Sequence, residues 1–556
     1  MPMTDNHSPT KLRAEMCARI AALGQVDVVI LGGGVNGVAA LRDLALNGVS
    51  AALIDTGDFC AGASSASSRM IHGGLRYLEG REFRLVAEAT QERNMLLEQA
   101  PHLTKTLELV VPVPRLLGGF GRAIGRFAGL WQDSGPLSLA ALEGALRLYE
   151  FLGRGSRFVP KHHVALSRAD FPQGMPEKIS AVVTYYDGQF LHPEALVLEM
   201  LEEALAQGEQ VAALNHADWA FDGGGFTITD RFGGAVGRVV PKLVINASGA
   251  WIDRANAALG LKTAYLRGVK GAHLVLDNAA LRARMDGRAF FFDDGSGRMV
   301  IALCVQDNVL IGTTEVEVAD PDDKRVDGDE EAYLLRAIDG LFSDISVTEE
   351  DIVSMTTGIR PLRMAGGSVT AAPRDHKLEE DAVGDVPVLS MVGGKWTTFR
   401  AFAEQASDRA LAYLARARAV STRDRPYPGI AVPELSGDPA RAAVLIRRYG
   451  ARAGEVAAFC EAVADRALAG APDYTAGEIA WIIHARGAAT VEDIALRRTH
   501  LTLGHGLDLA TLDDLAAILG AESGRDAAAI AAEVAAAKRD KRFFGPRAEH
   551  LEGATS

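Results

Sequence analysis

The stretch Val26–Asp55, VDVVILGGGVNGVAALRDLALNGVSAALID, runs from an apolar segment through three consecutive glycines into a helix pattern and ends in a second apolar segment. Short, unbroken apolar runs bounded by turn formers read as strands buried on both faces, whereas VAALRDLAL repeats its apolar residues at helical spacing. The unit is therefore βαβ. Within it, Gly32-x-Gly34-x-x-Gly37 lies directly after the first strand and opens the helix. There the glycines permit a tight turn and let backbone N–H groups and the helix N-terminus approach a pyrophosphate. Asp55 closes the second strand 18 residues beyond Gly37 and is placed to accept from a ribose hydroxyl. Strand, glycine turn, helix and terminal acid in register predict an α/β chain built on a Rossmann-like dinucleotide-binding domain.

Outward from this unit, residues 10–23 read as a short amphipathic helix, Gly62–Gly74 as a Gly/Ser-rich loop, and Glu82–Gln99 as a helix followed by the breakers Pro101, Pro112 and Pro114. From Val182 to Leu281 short β-rich runs alternate with the helix pattern EALVLEMLEEALAQG and lead to a further apolar strand, KLVINASGAW. The runs FFFDD, MVIALC and VLIGTTE predict a mixed sheet that covers a ligand. Proline spacing at Pro426–Gly429 marks a linker, beyond which an Ala-, Leu- and Arg-rich text of helical period predicts an all-α domain over 436–545. No repeat of fixed period is visible.

The chain has 556 residues, 48% hydrophobic and 23% charged, which is ordinary globular usage and excludes a disordered or fibrous protein. A net charge of −14 argues against a dedicated nucleic-acid binder, which needs a basic field. Cys17, Cys60, Cys304 and Cys460 are far apart with no C-x-x-C pair, so neither a disulfide framework nor a zinc site is expected, and a reducing compartment is. The first 25 residues mix charges and lack an apolar core, and no long uncharged apolar run occurs; secretion and a membrane span are not expected.

Two further glycine turns bear on which dinucleotide is bound. Val244–Gly249, VINASG, is a strand ending in a small-residue turn of the kind that brings flavoprotein chains back beside FAD, although an ordinary buried strand reads the same way. Val392–Phe399, VGGKWTTF, precedes a helix whose N-terminus could face the electron-rich end of a flavin; alone it is a capped helix start.

Read together with SSASSRMIHGGLRY (64–77), EFRLVAEATQERNMLLEQAPHL, VKGAHLVL (269–276), IGTTEVEV (311–318), TGIRPL (357–362), PRDH (373–376) and GGKWTTFR (393–400), the chain resembles the FAD-dependent, respiratory glycerol-3-phosphate dehydrogenase family. RRYGAR (447–452) and ATVEDIALRRTHL (489–501) are similar to that family's helical cap, so the likeness runs from about residue 26 to 505. It implies an FAD domain of the glutathione-reductase/D-amino-acid-oxidase type over 25–430, interleaved with a mixed-sheet substrate domain at roughly 77–180 and 262–355. Outside it lie an N-terminal segment (1–24), the helical domain (436–545) and a tail (546–556).

The resemblance also implies a site. FAD would be cradled by Gly32, Gly34, Asn36, Gly37 and Asp55, by Ser64, Ser65, Ser68, His72, Gly73 and Gly74, by Ala247 and Gly249, and by Gly393, Gly394, Lys395 and Thr397. Oxidising the secondary alcohol of a phosphorylated polyol needs an anion clamp, a base and a flavin. The expected substrate contacts are Arg76, Tyr77, Thr314 and Lys395. His273 is the expected proton acceptor, with Arg360 and Arg374 binding and orienting substrate as bidentate donors. A flavin-binding scaffold without turnover is the reading from another class; the gathering of like charges argues against it.

Leu303 and Cys304 stand where that family has a proline and an aromatic, Pro373 replaces a small hydroxyl residue, and Arg115–Asp133 is longer than usual, which keeps another substrate such as erythritol phosphate, or oxygen as acceptor, open. With no iron–sulfur or haem motif, a quinone is the expected acceptor. Residues 116–131, with Arg122 and Arg126 among Leu, Phe and Trp, suit an anionic membrane surface. A cytoplasmic protein, peripheral on the inner membrane, is expected. The helix-on-protein alternative and a homodimer stay open.

Overall fold

The computed structural model describes residues 11–78, 82–116, 138–153, 158–294, 296, 298–364, 375–504 and 506–549, apart from the side chain of Arg76. The strand Gln25–Leu31 is buried along all but its first residue and pairs in parallel with both Gly234–Asn246 and Ala51–Ile54. The sheet continues through Val211–Leu214 on one side and Val386–Val392 and Lys377–Val383 on the other; that last pairing is antiparallel, as is the pairing of Gly225–Asp230 with Gly234–Asn246. Parallel strands covered on both faces explain the unbroken apolar runs. The helix Val35–Leu46 follows the glycine loop and packs between the helices Pro193–Leu205 and Phe399–Tyr413.

A second, mixed sheet takes strands from 70–71, 104–113, 163–165, 181–190 and 266–363, so it extends past residues 180 and 355. Its spine is the antiparallel pair Leu266–Leu276 and Ile352–Arg363, whose register sets His273 opposite Thr356 and Val269 opposite Arg360. On its other edge Leu266–Leu276 pairs with Asn308–Gly312, placing Gly312 beside His273. Because this sheet is assembled from segments inserted between pieces of the first, the two meet along one long cleft.

The C-terminal helices, from Pro439–Tyr449 to Lys541–Phe544, enclose their own core around Trp481, Ile482, Leu512 and Leu515. The Pro426–Gly429 linker is anchored: Tyr427 is buried, with the Arg42 guanidinium 4.7 Å from its ring centroid. A buried ionic cluster docks the helical domain on the nucleotide domain. Arg497 Nε and Arg498 Nη1 donate to Asp58 Oδ2 at 2.6 and 2.8 Å, and His216 Nε2 lies 2.9 Å from Asp493 Oδ2. The N-terminal helix Lys11–Leu23 is tied in as well, Arg13 Nη1 donating to Asn215 Oδ1 at 2.8 Å. Among the described residues no helix is long and apolar enough to cross a membrane.

Candidate active site

A cleft of about 1020 Å³ follows the junction of the two sheets, at the upper end of the roughly 300–1,000 Å³ usual for ligand sites. One end is built by the glycine loop. Gly32 has φ +103°, and a Cβ there would come within 2.7 Å of the Ala247 carbonyl oxygen and the Ser248 Cα, so conformation and space both exclude a side chain. Gly34 caps the helix in extended conformation, and no acidic residue occupies the first turn. The positive end of the helix dipole therefore faces the cleft without an internal counter-charge.

Asp55 is held at the cleft wall by N–H groups of Gly33 (2.5 Å) and Gly57 (2.7 Å). Its carboxyl is nonetheless raised above the usual range because burial outweighs those two donors. Ser64 Oγ accepts from the Val35 N–H at 3.1 Å, and its carbonyl accepts from Trp396 Nε1 at 2.8 Å, so the serine loop joins the first glycine turn to the last. Asn36 Oδ1 is buried in the same wall and finds no partner among the described residues. A helix N-terminus without an acidic residue, a cradle that a Cβ would fill and an orphaned buried amide oxygen together fit a pyrophosphate-bearing dinucleotide.

The other end gathers a buried histidine and two cationic side chains. His273 is 1% exposed; its Nε2 lies 2.7 Å from Ser68 Oγ and its Nδ1 3.4 Å from Thr356 Oγ1. Burial first, then the Arg360 and Arg69 charges, push the imidazole down to about 3, so the ring is neutral. Arg360 Nη2 donates to Thr313 Oγ1 at 2.5 Å and Nη1 to the Thr314 carbonyl at 3.4 Å, which fixes the guanidinium at the cleft wall. Lys395 Nζ lies 3.5 Å from the Tyr77 ring centroid, a cation–π contact that holds both side chains together. The His72 N–H donates to Thr397 Oγ1 at 3.1 Å, linking the His-Gly-Gly turn to the turn after Val392.

Of the residues expected from sequence, the cleft brings together Gly32, Gly34, Asn36 and Asp55; Ser64, Ser68, His72 and Tyr77; Ala247, Gly249, His273 and Arg360; and Gly393, Gly394, Lys395 and Thr397. Others stand behind the wall. Thr314 is turned away from the cleft: its Oγ1 donates to Glu330 Oε1 at 2.6 Å and accepts from the Ala272 N–H at 2.9 Å, a strand-to-helix tie rather than a substrate contact. Ser65 Oγ donates to the Gly62 carbonyl, and the Gly73 N–H donates to Tyr149 Oη at 2.7 Å. Gly37 lets the helix pack on the Gly32 carbonyl, and Gly74 makes room for the Tyr77 ring. Arg374, like most of residues 116–131, lies outside the described residues; Arg76 sits on the short turn Leu75–Leu78.

Leu303 and Cys304 do not line the cleft; the same strand reaches it through Met299 and Ile301. Sequence reading missed several lining residues. Arg298, at the end of the turn after Asp293, donates to the Thr313 carbonyl at 3.2 Å. Trp251 and Arg254 face Asp322 and Lys324 of a segment that crosses from the second sheet. Trp251 Nε1 donates to Asp322 Oδ1 at 2.8 Å, and Arg254 pairs with Asp320 at 2.7 Å and Asp322 at 2.5 Å. The one available signal was the sequence DDGSGR between two strand-like runs, which predicts a turn with an arginine at its end.

Comparison with known proteins bears on the same assignment. Residues 27–400 match the family described as FAD dependent oxidoreductase, and residues 389–530 match the C-terminal domain of alpha-glycerophosphate oxidase. A glycerol-3-phosphate dehydrogenase of Synechocystis sp. is 30% identical over 534 residues, covering 86% of this chain and 89% of the relative. A D-erythritol 1-phosphate dehydrogenase of Brucella abortus is 29% identical over 513 residues, covering 86% and 95%. The crystal structure of a glycerol-3-phosphate dehydrogenase from Bacillus halodurans complexed with FAD shares the fold, with TM-score 0.71 at 20% identity over 97% of this chain and 99% of that one. With the glycine cradle, the neutral buried histidine and the fixed arginine in one cleft, these matches establish that the chain belongs to the FAD-dependent glycerol-3-phosphate dehydrogenase family.

Proposed function

We propose that this chain oxidises sn-glycerol 3-phosphate to dihydroxyacetone phosphate, with FAD as the immediate electron acceptor. The observation that carries this reading is that Arg360, Lys395 and neutral His273 line the same cleft as the Gly32–Gly34 loop. When bound along that loop, FAD supplies a hydride acceptor at flavin N5.

The chain's own groups do the rest. Arg360, oriented by Thr313 and the Thr314 carbonyl, presents a planar donor fork suited to a phosphate or a polarised hydroxyl. Lys395 adds a compact charge beside Tyr77. Arg76 and Arg374 are proposed to complete the clamp. Neutral His273 takes up the proton that the alcohol releases as its C–H bond is broken. A phosphate bound among these cations would offset their mutual repulsion.

Anaerobic addition of glycerol 3-phosphate to the purified holoprotein tests the reading: the visible flavin band should bleach within the time of mixing. Absence of bleaching would remove it. The Brucella relative supports a second reading in which a longer polyol phosphate is preferred, and erythritol phosphate in the same experiment separates the two by rate. Onward transfer to a quinone at an inner-membrane surface is the proposed second half-reaction. Its support is the basic and apolar alternation of residues 116–131, and flotation with anionic liposomes at low and high salt tests it.

A further inference from the structure

His273 is the expected base, yet the structure leaves it little access to a substrate. The ring is 1% exposed. One nitrogen faces Ser68 at 2.7 Å and the other faces Thr356 at 3.4 Å. Its side is covered by Gly312, where a Cβ would run into the imidazole. Ser68 lines the same cleft and is more exposed than the ring, being half-buried.

We propose that Ser68 Oγ, rather than the imidazole, meets the carbinol hydroxyl and relays its proton to His273 Nε2. The inference rests on the proposed oxidation and deepens it. A neutral imidazole has one lone pair and one N–H. The short contact to Ser68 is the one that the lone pair accepts, leaving Nδ1–H directed at Thr356 Oγ1. The step balances as follows. The C–H bond of the carbinol breaks and its electron pair leaves as hydride to the FAD. The hydroxyl O–H breaks and its proton goes to Ser68 Oγ. The serine's original proton moves to Nε2, and the products are a ketone, an unchanged serine and an imidazolium.

Ser68 is well fixed for this task. The next residue, Arg69, is buried in a left-handed conformation with φ +55°. Its Nη2 donates to Glu194 Oε1 at 2.9 Å and its carbonyl accepts from the Phe190 N–H at 2.8 Å. A non-glycine residue keeps such a φ only where the surroundings impose it. Burial first, then the Arg360 and Arg69 charges, disfavours the imidazolium. A phosphate bound beside Arg360 would offset part of that charge and so favour the proton's arrival on Nε2.

The test is anaerobic stopped-flow bleaching by saturating glycerol 3-phosphate, expressed per bound flavin, for the wild type, Ser68→Ala, Ser68→Thr and His273→Gln. Ser68→Ala is expected to slow bleaching by about 10²-fold or more, the range of a lost proton-transfer group. Ser68→Thr, which keeps the hydroxyl, is expected to recover most of that loss. Wild-type bleaching should slow in deuterium oxide, and Ser68→Ala should lose that sensitivity. Bleaching of Ser68→Ala at the wild-type rate, with His273→Gln slow, overturns the relay and leaves the proposed oxidation standing. A wild type that glycerol 3-phosphate does not bleach at all removes both.

Discussion

Gly271 lies against Arg360: a Cβ at Gly271 would stand 2.5 Å from Arg360 Nη2 and 2.7 Å from Thr313 Oγ1, the hydroxyl that orients the guanidinium. The nearest atoms belong to the ends of side chains and not to backbone, so Gly271→Ala displaces the arginine before it disturbs the sheet. We expect flavin content within error of wild type and kcat/KM for glycerol 3-phosphate lowered by about tenfold to a hundredfold, in line with weakening one charged contact by ~1.4–2.7 kcal/mol. Arg360→Ala should lose at least as much with the protein still yellow. An unchanged kcat/KM in both variants would separate this arginine from catalysis.

Gly34 and Gly32 should respond differently although both belong to the nucleotide loop. At Gly34 an added Cβ meets only Ser64 Oγ, at 3.3 Å, whereas at Gly32 it meets backbone. Gly34→Val therefore costs the fold about 1 kcal/mol or less, the scale of a poorer helix cap, but fills the space a pyrophosphate needs. The expected product is soluble, cooperatively melting and colourless. Gly32→Ala should be both colourless and poorly folded, and thermal melts of the two apoproteins beside flavin-stripped wild type check the distinction.

The parts of this architecture legible in sequence are those encoded locally. The βαβ unit announces itself because parallel strands must be apolar throughout and because only glycine fits at Gly32. The helical domain follows from period alone. What escaped notice is set by pairing across long separations. Thr314 belongs to a motif string, but just past the strand that pairs with Leu266–Leu276 its hydroxyl bonds Glu330 and the Ala272 N–H, while Thr313 beside it meets Arg360. Arg254, Asp322 and Lys324 reach the cleft from places with no motif, and Trp251 and Arg298 from the ends of short strings whose reach into the cleft depends on how the second sheet folds over the first.

The dock between the nucleotide and helical domains carries a pH signature. Burial by itself pushes the His216 imidazole down, but the Asp493 carboxylate at 2.9 Å outweighs it, and Asp58 helps, against an opposing Arg13; the ring is held above its ordinary value. A raised folded value means that this stabilisation is fully present below the unfolded histidine value of about 6.5 and fades as pH rises through the folded one. Asp493 works in the opposite sense. Burial raises it, but His216, Arg497 and Arg498 hold it well below its usual range, so its share is lost only in strong acid. His216→Gln should melt below wild type at pH 6, and the gap should narrow towards pH 8.5. A constant difference across that range would mean that the histidine is not charged in the dock.

The segment that crosses the cleft predicts how tightly the flavin is kept. Arg254, on the helix after the Ala247–Gly249 turn, pairs with Asp320 and Asp322, and Trp251 donates to Asp322, so residues 320–324 bridge the cleft wall from the opposite sheet. Lys324 points into the same cleft, 5.3 Å from the Trp251 ring centroid. Asp322 and Lys324 line the cleft that also holds the glycine loop, so the bridge stands on one side of a cofactor lying there. The pairs are about half exposed, at 50% for Arg254 and 60% and 61% for its partners, so each contributes little on its own and salt screens it. Kinetics should be more sensitive than stability. Arg254→Ala should release flavin several-fold faster with a melting temperature close to wild type. Raising salt from low to about 0.5 M, where the Debye length falls to a few ångströms, should speed release from the wild type and add little in the variant. Equal salt sensitivity in both proteins would mean that flavin leaves by a route the bridge does not guard.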